Sequence, residues 1–173
     1  MLKKESTLTN SDYHLFFPLV IFLKIKGKFM PTTIEEITIN CSPEDVYELV
    51  ANPQLQFKFN PNFREVRDHH GGQLQVGDTW TLVTEFMGRE IVSNYTALEI
   101  EAPNYFVYES TSDSADIQSK WAFEPTDAGT RVIFHSEGTP KGFFASLALN
   151  LVKGKYDEFV RTVLQGLKTE LEA

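Results

Sequence analysis

Between residues 62 and 138 the chain repeats one device six times: a run rich in Val, Ile, Thr, Tyr, Phe or Trp, then a short turn. The runs fall near 62–70, 78–87, 90–101, 104–111, 116–125 and 130–138. Their separators are turn chemistry: Gly71-Gly72, Val76-Gly77-Asp78, Gly88-Arg89, Ala102-Pro103-Asn104, Ser112-Asp113-Ser114 and Thr126-Asp127-Ala128-Gly129. Connections this short join antiparallel neighbours, because a parallel crossover takes a dozen or more residues. The central half of the chain is therefore expected to be a meander, and a sheet with one apolar face needs something to cover it.

The flanks supply both a further strand and the cover. "TTIEEITINC" (residues 32–41) spaces Ile34, Ile37 and Ile39 in a strand-like pattern. Ser42-Pro43-Glu44-Asp45 then reads as a helix start: a capping serine, proline at the first helical position, and two acids for the dipole. Val46, Leu49 and Val50 give that helix an apolar stripe. Asn52-Pro53 repeats the cap-plus-proline device, so a second short helix is expected to about Phe59, where Asn60-Pro61 ends it. At the far end, residues 141–171 read as one long helix with Phe144, Leu147, Leu151, Phe159, Val163, Leu167 and Leu171 at helical spacing. Gly154 interrupts that pattern, as a hinge or close approach to the sheet, or as a surface glycine. The order is β-α-α-β6-α: an α+β fold in which a strongly curved antiparallel sheet of seven strands grips the C-terminal helix.

Charge narrows the partners. The 173-residue chain carries a formal charge of −8, but residues 1–30 hold five Lys against two acids and residues 31–173 hold 11 bases against 22 acids. A domain that acidic does not attract nucleic acid through its field. The single Cys41 excludes an internal disulfide framework and is expected to be a small buried thiol. "LFFPLVIFLKIKGKFM" raises a membrane question, but its uninterrupted apolar run, Leu15 to Leu23, is far short of the ~20 residues a span requires. Residues 1–30 are expected to be an extension without fixed structure, or residues upstream of a true start at Met30, with the domain occupying 31–173. Interfacial membrane contact through residues 15–28 is the sharper alternative. A cytoplasmic location is the accompanying expectation.

Four stretches carry a resemblance: "ITINCSPEDVYELVANPQLQFKFNPNFREV", "VGDTWTLVTEFMGREI", "LEIEAPNYFVYES" and "WAFEPTDAGTRVIF". In order and spacing they resemble the START-like helix-grip superfamily (SRPBCC), specifically its polyketide cyclase/dehydrase-type members, over roughly residues 32–171. Members often have Trp where this chain has Phe59, a swap that keeps the ring and loses the indole donor. The first thirty residues have no counterpart. The resemblance implies a cavity between sheet and long helix that takes an apolar small molecule. Known members include lipid carriers, hormone receptors, aromatic-polyketide cyclases, quinone-binding proteins and chaperone-ATPase co-activators, and a shared fold does not fix the chemistry.

Strand alternation then proposes the lining. Trp80, Leu82, Thr84 and Phe86 share one face of their strand; so do Ile117, Ser119, Trp121 and Phe123, and Val132, Phe134 and Ser136. The residues expected to touch a ligand are Phe59, Phe63, Trp80, Leu82, Phe86, Tyr95, Tyr108, Trp121, Phe123, Phe134, Phe144, Leu147 and Leu151. Tyr95 and Tyr108 are the polar anchors, since a phenol tolerates burial and can orient a ligand. His69 and His70 are adjacent in a strand and point to opposite faces, so no metal is expected there, and no cofactor is implied. His135 and Glu137 share a face at a separation suited to acid/base work, while Glu85 and Glu109 are expected on the outer, solvated face. The preferred reading is a carrier of a lipid, polyketide or quinone-like molecule. A polyketide cyclase or dehydratase using cavity acid/base residues is the alternative, and a chaperone-co-activator module the third. No catalytic residue is assigned.

Overall fold

A computed structural model describes residues 32–69, 71–145 and 147–173. The readings made for residues 1–30 and for His70 lie outside the described residues. The elements are β1 (Thr32–Ile39), α1 (Pro43–Val50), a 3-10 helix (Pro53–Lys58), β2 (Phe63–Arg67), β3 (Thr79–Phe86), β4 (Arg89–Glu101), β5 (Tyr105–Thr111), β6 (Ala115–Thr126), β7 (Gly129–Pro140), α2 (Gly142–Ala145) and α3 (Leu149–Leu171). Strands β2 to β7 form the expected meander, and β1 adds to β7, giving one antiparallel seven-stranded sheet in the order β1-β7-β6-β5-β4-β3-β2. This is the α+β helix-grip architecture. Among the described residues no helix is long and apolar enough to cross a membrane.

The capping chemistry forms as read. The Ser42 hydroxyl accepts from the Asp45 amide at 3.2 Å, and Asn52 accepts from the Gln54 amide at 3.1 Å. The second of these opens a 3-10 helix whose residues place Phe59, 2 % exposed, inside the core. Tyr47 of α1 meets Phe106 and Phe123 edge-on at 6.2 and 5.8 Å, so α1 fills one end of the sheet's concave face.

Helix α3 is seated along β1 and against the 3-10 helix. Val160, Val163, Leu164 and Leu167 are its buried residues, each stabilising by roughly 1.5–3 kcal/mol. Polar groups pin the helix along β1: Arg161 to Glu35 at 2.8 Å, and Lys168 Nζ to the Thr38 carbonyl at 2.7 Å. The Cys41 thiol donates to the Leu171 carbonyl at 3.2 Å; it is half-buried rather than buried, because it closes the end of α3 instead of packing inward.

The long helical pattern of 141–171 divides in two. Ala148 takes an extended backbone (φ −60°, ψ 121°) and starts α3 afresh, so α2 and α3 do not share one helical register. Phe144 therefore enters the core while Leu151 turns outward, 49 % exposed.

The two glycines of α3 prove opposite in environment. A Cβ at Gly154 would meet nothing within 4 Å, which makes it a surface glycine and neither a hinge contact nor a close approach. A Cβ at Gly166 would lie 2.1 Å from the Phe59 carbonyl oxygen. Gly154→Ala is expected to stabilise the protein by about 0.5–1 kcal/mol, and Gly166→Ala to destabilise it by about 1–3 kcal/mol through overpacking. Chemical denaturation of both variants checks the pair, and equal effects would contradict this assignment.

Candidate functional site

The N-terminal half of α3 passes over a part of the sheet that α1 does not fill, and a cavity of about 190 Å³ remains between them. An apolar cavity of ~150 Å³ already accepts a benzene ring. Its floor is built by strand alternation. Trp80, Leu82, Thr84 and Phe86 come from β3, Ile117, Ser119 and Trp121 from β6, and Phe134 and Ser136 from β7. On β5, Phe106, Tyr108 and Ser110 point inward, and Glu109 is exposed on the other side. The roof is Phe144 of α2 with Val152, Tyr156, Phe159 and Val163 of α3. Phe86 meets Phe144 at 5.4 Å and Phe159 at 5.9 Å, closing floor onto roof.

Of the residues proposed from sequence, Trp80, Leu82, Phe86 and Tyr95 line the cavity, as do Tyr108, Trp121, Phe134 and Phe144. Five do not line it. Phe59 is held in the core beneath Gly166. Phe63 sits on the edge strand beside a register shift between Phe63 and Glu65, which re-aims it. Phe123 lies under Tyr47, at the filled end. Leu147 precedes α3, and Leu151 lies on a different face of that helix from Val152, Tyr156 and Phe159.

The acid/base candidates lie elsewhere. Glu85 pairs with Arg64 at 2.7 Å on the exposed side. His135 and Glu137, 3.7 Å apart, alternate with Phe134 and Ser136 and so face away from the cavity. Burial pushes the His135 imidazole below its ordinary value, despite the opposing pull of Glu137. His69 accepts from the Gly71 amide through Nδ1 at 3.1 Å and meets Trp80 edge-on at 6.5 Å.

Register aligns the polar groups of the floor into two rungs. Trp80 stands opposite Tyr95, and Tyr95 opposite Ser110. One step along, Tyr108 stands opposite Ser119, Ser119 opposite Ser136, and Ser136 opposite Thr33 of β1. The Thr33 hydroxyl donates to Asp157 of α3 at 2.6 Å, and Lys153 donates to the other oxygen of the same carboxylate at 2.7 Å. Burial pushes the Asp157 carboxyl up, but the hydrogen bonds from Lys153 and Thr33 outweigh it and hold it below the usual range. Lys153 is the one charged side chain among the described lining residues, and Asp157 neutralises it.

Three phenols face this polar strip. Burial, reinforced by neighbouring phenols, drives Tyr95 and Tyr156 far above the ordinary tyrosine value, and burial raises Tyr108 as well. All three stay protonated at any physiological pH and serve as hydrogen-bond donors, never as bases. Tyr156 and Ser110 were missed from sequence as site residues, and Ser136, grouped with Phe134 on one strand face, was not named among the ligand contacts. The signal for Tyr156 was its helical spacing with Val152 and Phe159.

A model of the polyketide cyclase/dehydrase and lipid transport family matches residues 30–172. The chain belongs to that family. No curated relative matches it in sequence. Among solved structures it is similar to a START superfamily protein from Mycobacterium smegmatis (TM-score 0.70, 13 % identity, covering 82 % of this chain and 97 % of that one). It is also similar to the Zhui aromatase/cyclase from Streptomyces sp. R1128 (0.69, 14 %, covering 83 % and 94 %). A third is the ginseng major latex-like protein 151 from Panax ginseng (0.66, 12 %, covering 83 % and 99 %). At such identities the likeness shows the shared helix-grip fold. Family and fold together support a role of the hydrophobic-ligand-binding or cyclase/dehydrase type.

Among the described residues, two polar atoms in the cavity wall, Trp80 Nε1 and Ser119 Oγ, have no partner at hydrogen-bonding geometry, although the Ser119 hydroxyl neighbours the Tyr108 and Tyr156 phenols and acts to lower the pKa of both. Such groups destabilise a fold. Ser119→Ala is therefore expected to leave the thermal midpoint unchanged or raise it, by up to about 1 kcal/mol of stability. A loss greater than that in a denaturation curve would show that the hydroxyl is satisfied by the protein.

Proposed function

We propose that this protein is a carrier that encloses one apolar, ring-bearing small molecule between the sheet and α3. The observation that carries this reading is the character of the cavity wall: aromatic rings and hydroxyls surround about 190 Å³, and no carboxylate, imidazole or thiol is among the described lining residues. Such a wall excludes water and orients a guest through a few polar contacts, which suits binding. Proton abstraction next to a carbonyl needs a base with a pKa near the working pH. The cavity phenols sit far above that range, and His135, Glu85 and Glu109 lie on the outer side of the sheet. A cyclase-type reading is left with Tyr95 and Tyr108 as donors that polarise a carbonyl, a weaker device without a base.

Native mass spectrometry of the purified protein is the direct test. The expected result is a population heavier than the apo mass by one small organic molecule, released on denaturation. Trp80 and Trp121 both line the cavity, so displacement or titration with an aromatic ligand should shift intrinsic fluorescence saturably at one equivalent. Apo mass only, together with no saturable response to any apolar ligand, would overturn the reading.

A further inference from the structure

Strand register places one end of the cavity where β1 begins and β7 ends. Thr32 stands opposite Glu137, and β7 runs on past it to Pro140 and into α2. Gly138 and Pro140 of β7 line the cavity at this end, as do Ser114 and Ala115 at the start of β6, which pair with or adjoin them. Apolar side chains stand in water around it. Phe143 of α2 is 51 % exposed, Met87 of the β3–β4 turn 38 %, and Leu151 is exposed beside the lining residue Val152. Phe143 and Met87 belong to one patch: the Arg89 guanidinium lies 4.7 Å from the Phe143 ring centre, and Phe86 meets Phe144 at 5.4 Å. Large apolar side chains grouped at the rim of a cavity mark a surface that something covers.

We propose that residues 15–23 of this same chain dock across that rim, laying their apolar side chains against Phe143, Met87 and Leu151 and covering the cavity. The chain ahead of Thr32 leaves from the rim itself, because Thr33 lines the cavity and its hydroxyl donates to Asp157 of α3 at 2.6 Å. Leu15–Leu23 is an uninterrupted apolar run, and residues 24–31 tether it. Extended, that tether reaches up to about 26 Å. From β1 to β3, in the order β1-β7-β6-β5-β4-β3, is about 24 Å at the usual strand spacing, so the run can lie anywhere along the rim. Charge favours this occupant. Lys24, Lys26 and Lys28 would lie against a domain with 11 bases and 22 acids, with Asp113 and Glu137 at this end. The same acidity repels an anionic membrane, and a short tether gives the segment a millimolar effective concentration that a second copy cannot match. A space of about 190 Å³ admits about one ring, so the segment covers the cavity and does not fill it. The docking rests on the rim alone; its consequence for ligand entry rests on the carrier reading above.

Hydrogen exchange on the full-length protein tests the docking separately from any ligand. The wild type is compared with a full-length variant carrying Phe16→Ser, Leu19→Ser and Phe22→Ser. Peptides spanning residues 87–92 and 142–152 are expected to exchange about tenfold faster in the variant, with β5 and β6 unchanged. The neutral fluorescent probe N-phenyl-1-naphthylamine is expected to bind the variant about tenfold more tightly, the factor for a cavity covered nine-tenths of the time. Equal exchange in the two proteins would overturn the docking. Protection that grows with protein concentration would overturn it in favour of a second copy, and protection seen only with anionic phospholipid vesicles in favour of a membrane. Faster exchange in the variant with no probe binding by either protein would support the docking and overturn the carrier reading. Should the variant fail to fold, photocrosslinking decides, with benzoylphenylalanine in place of Phe143 in the otherwise unaltered chain. A crosslink within one molecule to residues 15–23 supports the proposal, and crosslinks only elsewhere overturn it.

Discussion

The contact between Gly166 and the Phe59 carbonyl governs this molecule. A Cβ at position 166 would lie 2.1 Å from that oxygen, so α3 can approach the turn after the 3-10 helix only because a glycine stands there. Seating the C-terminal half of α3 that deeply fixes its axis over the sheet. Leu164 and Leu167 are then buried beyond the cavity, while Val160, Val163 and the N-terminal half of the helix are carried across open sheet. The cavity follows from one helix being anchored tightly at one end and bridging at the other. In this account the aromatic segment at residues 52–63 is the anchor of the helix, and the pocket's walls come from the strands.

Inside the cavity, geometry and electrostatics point the same way. Rings give the space its apolar character, and register gathers the hydroxyls of five strands into two rungs on one side. Desolvation keeps the phenols neutral, and Lys153, the one cation among the described wall residues, pairs with Asp157. What remains is an uncharged, donor-rich strip in an apolar room, which favours holding a polarised but neutral molecule over ionising it.

Much of this was legible in the sequence, for physical reasons that differ by element. Strands and turns showed because side-chain alternation and Gly-rich connections are local signals, and Ser42 and Asn52 announced their helices through capping chemistry. Of the eight proposed residues that line the cavity, Trp80, Leu82, Phe86, Trp121 and Phe134 came from strands whose alternation marked one face, whereas Tyr95 and Tyr108 were chosen for their phenols and Phe144 for its helical stripe. The failures were non-local. Nothing in "GFFASLALNLVKG" after its first glycine marks the break at Ala148, since Ala and Leu favour continued helix, so Leu147 and Leu151 were assigned a face they do not have. Gly154 and Gly166 are the same residue type in one helix, and only tertiary packing distinguishes a surface glycine from one that admits a backbone carbonyl. The rungs were hidden because a serine's neighbours across the sheet depend on register, which no single strand reveals.

The central claim is that α3 and the sheet enclose real apolar space and not a core that closes on itself. A crystal pressurised with xenon tests it most directly, because xenon enters dry cavities of this size without needing a specific ligand. The account predicts an ordered xenon atom between α3 and the sheet, in contact with Trp80, Phe134 and Val163. A structure with no xenon at that place, and with the side chains of Trp80, Phe86 and Phe159 filling the space, would contradict it.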